Sequence, residues 1–382
     1  MSLEFFRRHT PELLIAFFGL ISLVAVSGGV GGEAGSFLFA SLDVALFVVL
    51  AMLVYLAKDR HPAFRWAAGA WLLVLVAGLA FTAAGMGIIA IMPVEVLEGG
   101  EFDPETFDLA LAAEVALLFL GASAAGLASL IGLSRRFRGW LARYLPFDPD
   151  SLLHTVALVV ILAMILIPPV PLLVIGGPPF LSPQFLDLLL ESGDLLADTV
   201  TLNAYTLFWT LIGSFFIAGA CIRRTPRQTL ERLGLVRPTG KEIALAVAAA
   251  LVLVLAFSFI DPALAALVDW LGLPVTDEDA VNLLFAGSLT LPGIIVASIA
   301  AGFGEEVSIR GLLQPRFGIL LPALLFASLH AFQYSWDGLI SVFLAGLVFA
   351  YIRRYSNTTT SAITHTVYDL VLFAMLMVGV SF

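Results

Sequence analysis

Gly304-Glu305-Glu306-Val307-Ser308-Ile309-Arg310-Gly311 places two carboxylates and a guanidinium in a chain segment that otherwise reads as a membrane-spanning helix. Insertion scales charge about 2.5 to 3.5 kcal/mol for each charged residue near a helix centre, so such groups are paired, watered or functional. A plainer alternative puts the stretch at a helix end, with Arg310 snorkelling to the interface and the acids in water. Two later segments weigh against it. Phe326-Ala327-Ser328-Leu329-His330 sets a histidine in a second apolar run, and His365-Thr366-Val367-Tyr368-Asp369 sets a histidine and a carboxylate in a third. Polar groups on three neighbouring spans are poorly explained as independent packing residues.

The surrounding composition settles the class. Of 382 residues 60% are hydrophobic and only 13% charged, against about 25% charged in soluble domains. Apolar runs of about twenty residues, the length that spans a bilayer, recur along the chain. The fold class expected is all-α, a polytopic integral membrane helix bundle. The start is short and basic with no trusted cleavage pattern, so the first apolar run reads as a transmembrane helix and not as a signal peptide. One cysteine excludes an internal disulfide and a cysteine-based metal site. No basic tract with interleaved aromatics suggests nucleic acid as a partner.

Eleven spans are expected, at about 12–30, 37–57, 66–92, 107–133, 152–175, 200–222, 243–264, 287–304 and beyond, 318–332, 338–351 and 361–380. Loops between them alternate in sign. Basic groups fall at Arg7 and Arg8, at Lys58 to Arg65, at Arg135 to Arg143, at Arg223 to Lys241, at Arg316, and at Arg353 and Arg354. The intervening loops carry Glu33, the acids between Glu95 and Asp108, those between Asp187 and Asp198, Asp277 to Asp279, and Asp337. By the positive-inside rule the N-terminus is cytoplasmic and, after eleven spans, the C-terminus is outside.

Proline and glycine mark the internal boundaries. Residues 167–179 break the fifth span and lead into an amphipathic stretch, 180–196, expected at the outer interface. Thr225-Pro226 reads as an N-cap with proline at the first helical position. Gly234 stops that short helix, whose Leu230 and Leu233 are expected to face lipid. The organisation that follows is a four-span region over 1–150, two further spans with a cytoplasmic linker over 151–242, and a core carrying the chemistry over 243–382. Asp43, Glu114 and Asn203 lie in or near spans without a partner at helical spacing and read as packing or interfacial residues.

Helical spacing then sorts the acids. Residues four apart share a helix face and adjacent ones do not. Glu306 and Arg310 therefore pair as a scaffold, and Glu305 is left available; Gly302, Gly304 and Gly311 permit close helix approach. Phe326 and His330 share a face, as do His365 and Asp369, and Asp369 is placed to fix an imidazole tautomer on either histidine. A carboxylate and two histidines in a wet intramembrane cavity suit hydrolysis, with Glu305 taking a proton from water and a histidine holding the water or the oxyanion. The same Glu305, His330 and His365 could instead ligate a divalent metal such as zinc; residue types leave the choice between no cofactor and a metal open. Nothing at hydrogen-bond spacing marks Ser308 as a nucleophile.

Glu305-Glu306-x-x-x-Arg310, Phe326-x-x-x-His330 and His365-x-x-x-Asp369, in that order, resemble the motifs of the CPBP family. Its members are the type II CAAX prenyl endopeptidases and the bacteriocin-processing or Abi-type membrane proteins. The resemblance covers about 243–380. It implies an intramembrane endopeptidase acting near the cytoplasmic face on a peptide or prenylated protein, in eukaryotic members removing three residues after a prenylated cysteine. By motif match Glu305 would be the general base, His330 and His365 would position water or metal, and Asp369 would stand at the Asn or Asp position of the family. Val307-Ser308-Ile309 lacks the bulkier residue many members carry before the arginine, which bears on substrate fit. Besides the lipid bilayer and a peptide, no partner or oligomeric state is legible. A non-catalytic membrane scaffold in immunity or secretion is the alternative, and a proton-coupled transporter a third; the absence of an inverted repeat weighs against the last.

Overall fold

A computed structural model describes residues 3–97, 108–191 and 194–379. The acids expected over 98–107, and the extreme ends of the spans expected to start at 107 and to finish at 380, lie outside the described residues. Among the described residues the chain is helical with no strand, and nine helices are long and apolar enough to cross a membrane, or ten if one bent pair counts as a span. The protein is a multi-pass membrane protein.

The helices are α1 (Leu3–Ser27), α2 (Gly32–Ala40), α3 (Leu42–Asp59), α4 (Phe64–Ile91), α5 (Leu109–Ser129) and α6 (Leu152–Leu166). They continue as α7 (Pro183–Glu191), α8 (Asp194–Ile217), α9 (Pro226–Leu233), α10 (Gly240–Trp270), α11 (Glu278–Leu284) and α12 (Leu291–Glu305). The last three are α13 (Leu320–Leu329), α14 (Trp336–Tyr355) and α15 (Thr358–Met377). Each of the eleven expected apolar runs is therefore helical, with two qualifications. The second is α2 and α3 bent by 45°. The ninth, Leu320–Phe332, is short: at 1.5 Å per residue it reaches only about 20 Å, well below the ~30 Å hydrocarbon core.

The basic loops gather at one end of the bundle. Arg223 grips Asp59 through two nitrogens, at 2.8 to 3.2 Å, and Phe147 stacks on Phe317 at 5.6 Å. Glu242 accepts from Ser356 and Asn357. At the opposite end Asp337 accepts from the Thr276 amide and hydroxyl at 2.9 and 2.8 Å, and Phe180 packs on Phe332. These contacts tie together loops that the alternation of charge had assigned to common sides.

Helix α9 forms as its sequence dictates. Thr225 and Gln228 make a reciprocal capping box, Pro226 follows the cap, and Gly234 terminates the helix at φ 73°. Its orientation differs from the expectation. Leu233 is fully buried against Ala218 and Val307 instead of facing lipid, because Gly311 lets the next helical segment approach: a Cβ there would lie 2.8 Å from the Leu233 carbonyl oxygen. Arg232 donates to the Gly311 and Leu312 carbonyls at 3.0 and 3.3 Å, tying this helix to the segment that follows α12. Burial, with Arg316, Arg224 and Arg353 nearby, pulls Arg232 down to about 10, so it stays charged at neutral pH. The Gly234 carbonyl accepts from the Thr358 amide at 3.1 Å, fastening the start of α15 to the same helix.

The expected outer-interface stretch is a short 3₁₀ turn followed by α7. Phe180 and Phe185 stack at 4.7 Å and both turn into the interior cavity. Gly302 is where α12 and α15 meet: a Cβ would lie 2.6 Å from the Thr366 amide nitrogen and 2.8 Å from its Cα. Gly304 is different, with only ordinary contact to Leu207 and Thr210 in prospect, so it is not a close-approach position. Gly302→Ala is expected to destabilise the protein by about 1–3 kcal/mol through overpacking, measurable as a lowered melting temperature in detergent, whereas Gly304→Ala should leave it nearly unchanged.

Candidate functional site

The site grows from a change of helix type. Where α12 ends, the Ser308 hydroxyl donates to the Gly304 carbonyl at 2.8 Å and the Glu305 carbonyl at 3.2 Å. The next eight residues, Glu306–Leu313, adopt a π-helix. Back-bonding hydroxyls bend helices, and π turns, with i→i+5 bonding, widen them at functional sites. Ser308 thus uses its hydroxyl on the backbone of its own helix while also lining the cavity.

Glu306 is the hub of the buried network. Arg310 Nη1 approaches its Oε1 at 2.9 Å, and neither side chain has any exposure. Ser361 donates to Oε2 at 2.6 Å, and His365 Nδ1 lies 3.3 Å from Oε1. Arg310 is held in turn by Nη2 donating to the Gly346 carbonyl at 3.2 Å and by ring faces, its guanidinium lying 4.1 Å from the Phe326 centroid and 5.7 Å from Phe349. Gly346 makes room: a Cβ there would lie 2.8 Å from Phe326 Cδ1. The scaffold pair expected from the sequence is present, and Phe326 is the wedge between it and the histidines.

Both histidines are oriented by what they touch. His365 offers its second nitrogen, Nε2, to Asp369 Oδ2 at 3.3 Å, and its ring stacks on Phe349 at 4.4 Å. His330 Nδ1 lies 2.8 Å from the Phe326 carbonyl. A carbonyl only accepts, so that nitrogen carries the hydrogen and Nε2 is the acceptor. The His330 ring lies parallel to Tyr334 at 6.1 Å and edge-on to Phe326 at 5.0 Å.

Glu305, His330, Tyr334, His365 and Asp369 line one cavity of about 1250 Å³. Unlike Glu306, Glu305 has a buried oxygen, Oε2, that receives no hydrogen bond from the protein. The structure thus brings all four residues expected to be catalytic to one space, with Glu306, Arg310 and Phe326 behind its wall or in it. The cavity also draws on regions outside the 243–382 core. Asp43 and Phe47 of α3 and Asn203, Thr206 and Thr210 of α8 line it, so Asp43 and Asn203 are cavity residues instead of the packing or interfacial ones expected.

As placed, the suggested metal set does not fit a metal ion. Both His365 nitrogens face carboxylates, and among the described residues no group of three or more His, Cys, Asp or Glu side chains converges as ligands.

Three participants escaped the sequence reading. Ser361 stands four residues before His365 on the same face of α15, a spacing that could have flagged it. Tyr334 follows His330 by four residues, but a 3₁₀ turn, His330–Phe332, intervenes. Phe349, in an apolar run rich in phenylalanine, carries no signal at all.

A family model described as "Type II CAAX prenyl endopeptidase Rce1-like" matches residues 287–371. The chain is also similar to "Uncharacterized protein YpbD" of Bacillus subtilis (strain 168), 28% identical over 93 residues, a match that takes in 24% of this chain and 49% of that relative. No solved structure matches it significantly. The matched segment contains the π-helix and all of Glu305, Glu306, Arg310, Phe326, His330, His365 and Asp369, so over residues 287–371 the chain is similar to the Rce1-like type II CAAX prenyl endopeptidases.

Proposed function

We propose that the protein is an intramembrane endopeptidase in which Glu305 activates water to attack a peptide carbonyl. The observation that carries this reading is the contrast between adjacent acids: Glu306 lies behind the wall, engaged by Arg310, Ser361 and His365, while Glu305 lines the cavity and has a buried oxygen, Oε2, that receives no protein hydrogen bond. Ionised Glu305 takes a proton from water as the hydroxide forms its bond to the carbonyl carbon. His330 Nε2, fixed as an acceptor by the bond at Nδ1, holds the water. The proton on Glu305 then passes to the leaving amine as the tetrahedral intermediate collapses. Asp369 and Glu306 keep His365 oriented, and that imidazole supplies positive charge beside the oxyanion.

Cleavage is assigned to the cytoplasmic half. Glu305 lies eight residues before Leu313, and His365 seven residues after Thr358, each about 10 to 12 Å along its helix from the basic end; by the charge rule that end, with the N-terminus, is cytoplasmic and the C-terminus outside. Cysteine-accessibility labelling at the basic loops, accessible only from the inner side, is the expected result. Apolar walls from α6, α8 and α13 suit a prenyl chain or an apolar peptide.

The test is cleavage of a quenched prenylated peptide by purified protein. Single-bond cleavage that persists in a strong chelator is expected, and His330→Ala should lower kcat by about 10² or more while leaving the melting temperature within a few degrees. Loss of activity in chelator, restored by zinc, would replace the metal-free step.

A further inference from the structure

The cavity lining is chemically one-sided. Asp43, Asp261, Glu278, Glu305, Asp337 and Asp369 contribute carboxylates, and among the described lining residues none is lysine or arginine. Arg310 stands behind the wall, without exposure and already paired. Asp337 and Asp261 receive their hydrogen bonds from neutral groups, the Thr276 amide and hydroxyl and the Ser341 hydroxyl. Helix N-termini, the usual uncharged anion sites, give no substitute here, since the first turns of α11 and α14 carry Glu278 and Asp337 themselves.

A second observation concerns neutral groups. Asn203, Thr206 and Thr210 recur at helical spacing on α8 and line the same cavity. Among the described residues no protein hydrogen bond engages their side chains, and Thr210 lies beside Gly304, its methyl 3.8 Å from where a Cβ on that glycine would stand. A row of hydroxyl and amide groups along one helix, ending beside Gly304, offers both donors and acceptors to the cavity. Peptide N–H and C=O groups require both when buried.

We infer that this site takes an internal stretch of peptide, its main chain laid along the Asn203–Thr206–Thr210 row, and discriminates against a segment ending in a free C-terminal carboxylate. A terminal carboxylate three residues from the scissile bond would join six lining carboxylates, and the one cation the mechanism supplies there, the His365 imidazole, is already held between Glu306 and Asp369. An amide at that position meets the row instead. This rests on the endopeptidase reading, and it separates this chain from removal of a C-terminal tripeptide.

The experiment uses the full-length protein in detergent and three prenylated peptides of one sequence: a free C-terminal carboxylate, its amide, and a version extended by several uncharged residues. Affinity is measured with Glu305→Gln protein, which removes turnover from the readout, and kcat/KM with wild type. The amide and the extended peptide are expected to bind at least tenfold more tightly and to show at least tenfold higher kcat/KM. Equal or better binding of the carboxylate form, or binding of none of the three, overturns the inference. Cleavage that survives in the Glu305→Gln protein overturns the catalytic reading and leaves the binding order as an independent result. The double variant Asn203→Leu with Thr206→Val should raise KM for the extended peptide at least fivefold with kcat within twofold, and Thr206→Ser should keep the wild-type KM; a fall in kcat alone would assign the row a purely structural part.

Discussion

Glu305→Gln is expected to lower peptide hydrolysis by about 10³-fold or more, with folded yield and melting temperature unchanged. The substitution keeps the shape of the side chain and removes only the proton acceptor, the change a general-base role is most sensitive to. Stability should change little, because the buried Oε2 of Glu305 receives no protein hydrogen bond that the substitution would break. The checking measurement is single-turnover cleavage beside a thermal melt. A variant that keeps more than a tenth of wild-type activity would refute general-base catalysis by this residue.

The Glu306–Arg310 pair beside it should behave in the opposite way. Arg310→Met is expected to cost about 3–5 kcal/mol, the range for breaking a buried pair by deleting one member. The substitution strands Glu306, which has no exposure, with only Ser361 and His365 as partners, and takes the guanidinium off the Phe326 and Phe349 faces. A melting temperature lowered by several degrees and a poor yield in detergent are the readouts. Combining Arg310→Met with Glu306→Gln should recover part of the loss, since no unpaired carboxylate then remains; a double variant as unstable as the sum of the singles would mean that the two residues do not act as a pair. The expected phenotypes are separable: loss of hydrolysis at Glu305 and loss of stability at the Glu306–Arg310 pair.

Much of this was legible in the sequence because burying charge in lipid is costly enough to leave a pattern. The i,i+4 spacings of Glu306 with Arg310 and of His365 with Asp369 became a 2.9 Å ion pair and a 3.3 Å contact. The alternation of basic and acidic loops matched the two ends of the bundle. What could not be read was tertiary. The contact between Glu306 and His365 joins residues 59 apart, and no local period encodes it. The π-helix over Glu306–Leu313 is not anticipated by the 3.6-residue rule used to assign faces. Leu233 was assigned to lipid on amphipathic pattern alone, and only the approach permitted by Gly311 reveals it as core. Asp43 and Asn203 lacked partners within their own helices, and their role depends on which helices surround the cavity.

The clasp that α9 makes on the π-helix bears on what counts as the minimal unit. Arg232 and Leu233 hold the end of Glu306–Leu313, and Gly234 holds the start of α15, yet all three lie upstream of the family-matched 287–371 segment. A wall of the cavity comes from farther upstream still. The motif-bearing segment is therefore a cartridge that cannot be transplanted alone: moved into another membrane scaffold without α8 and α9, it would carry every catalytic letter and lack the fastening that gives them their geometry.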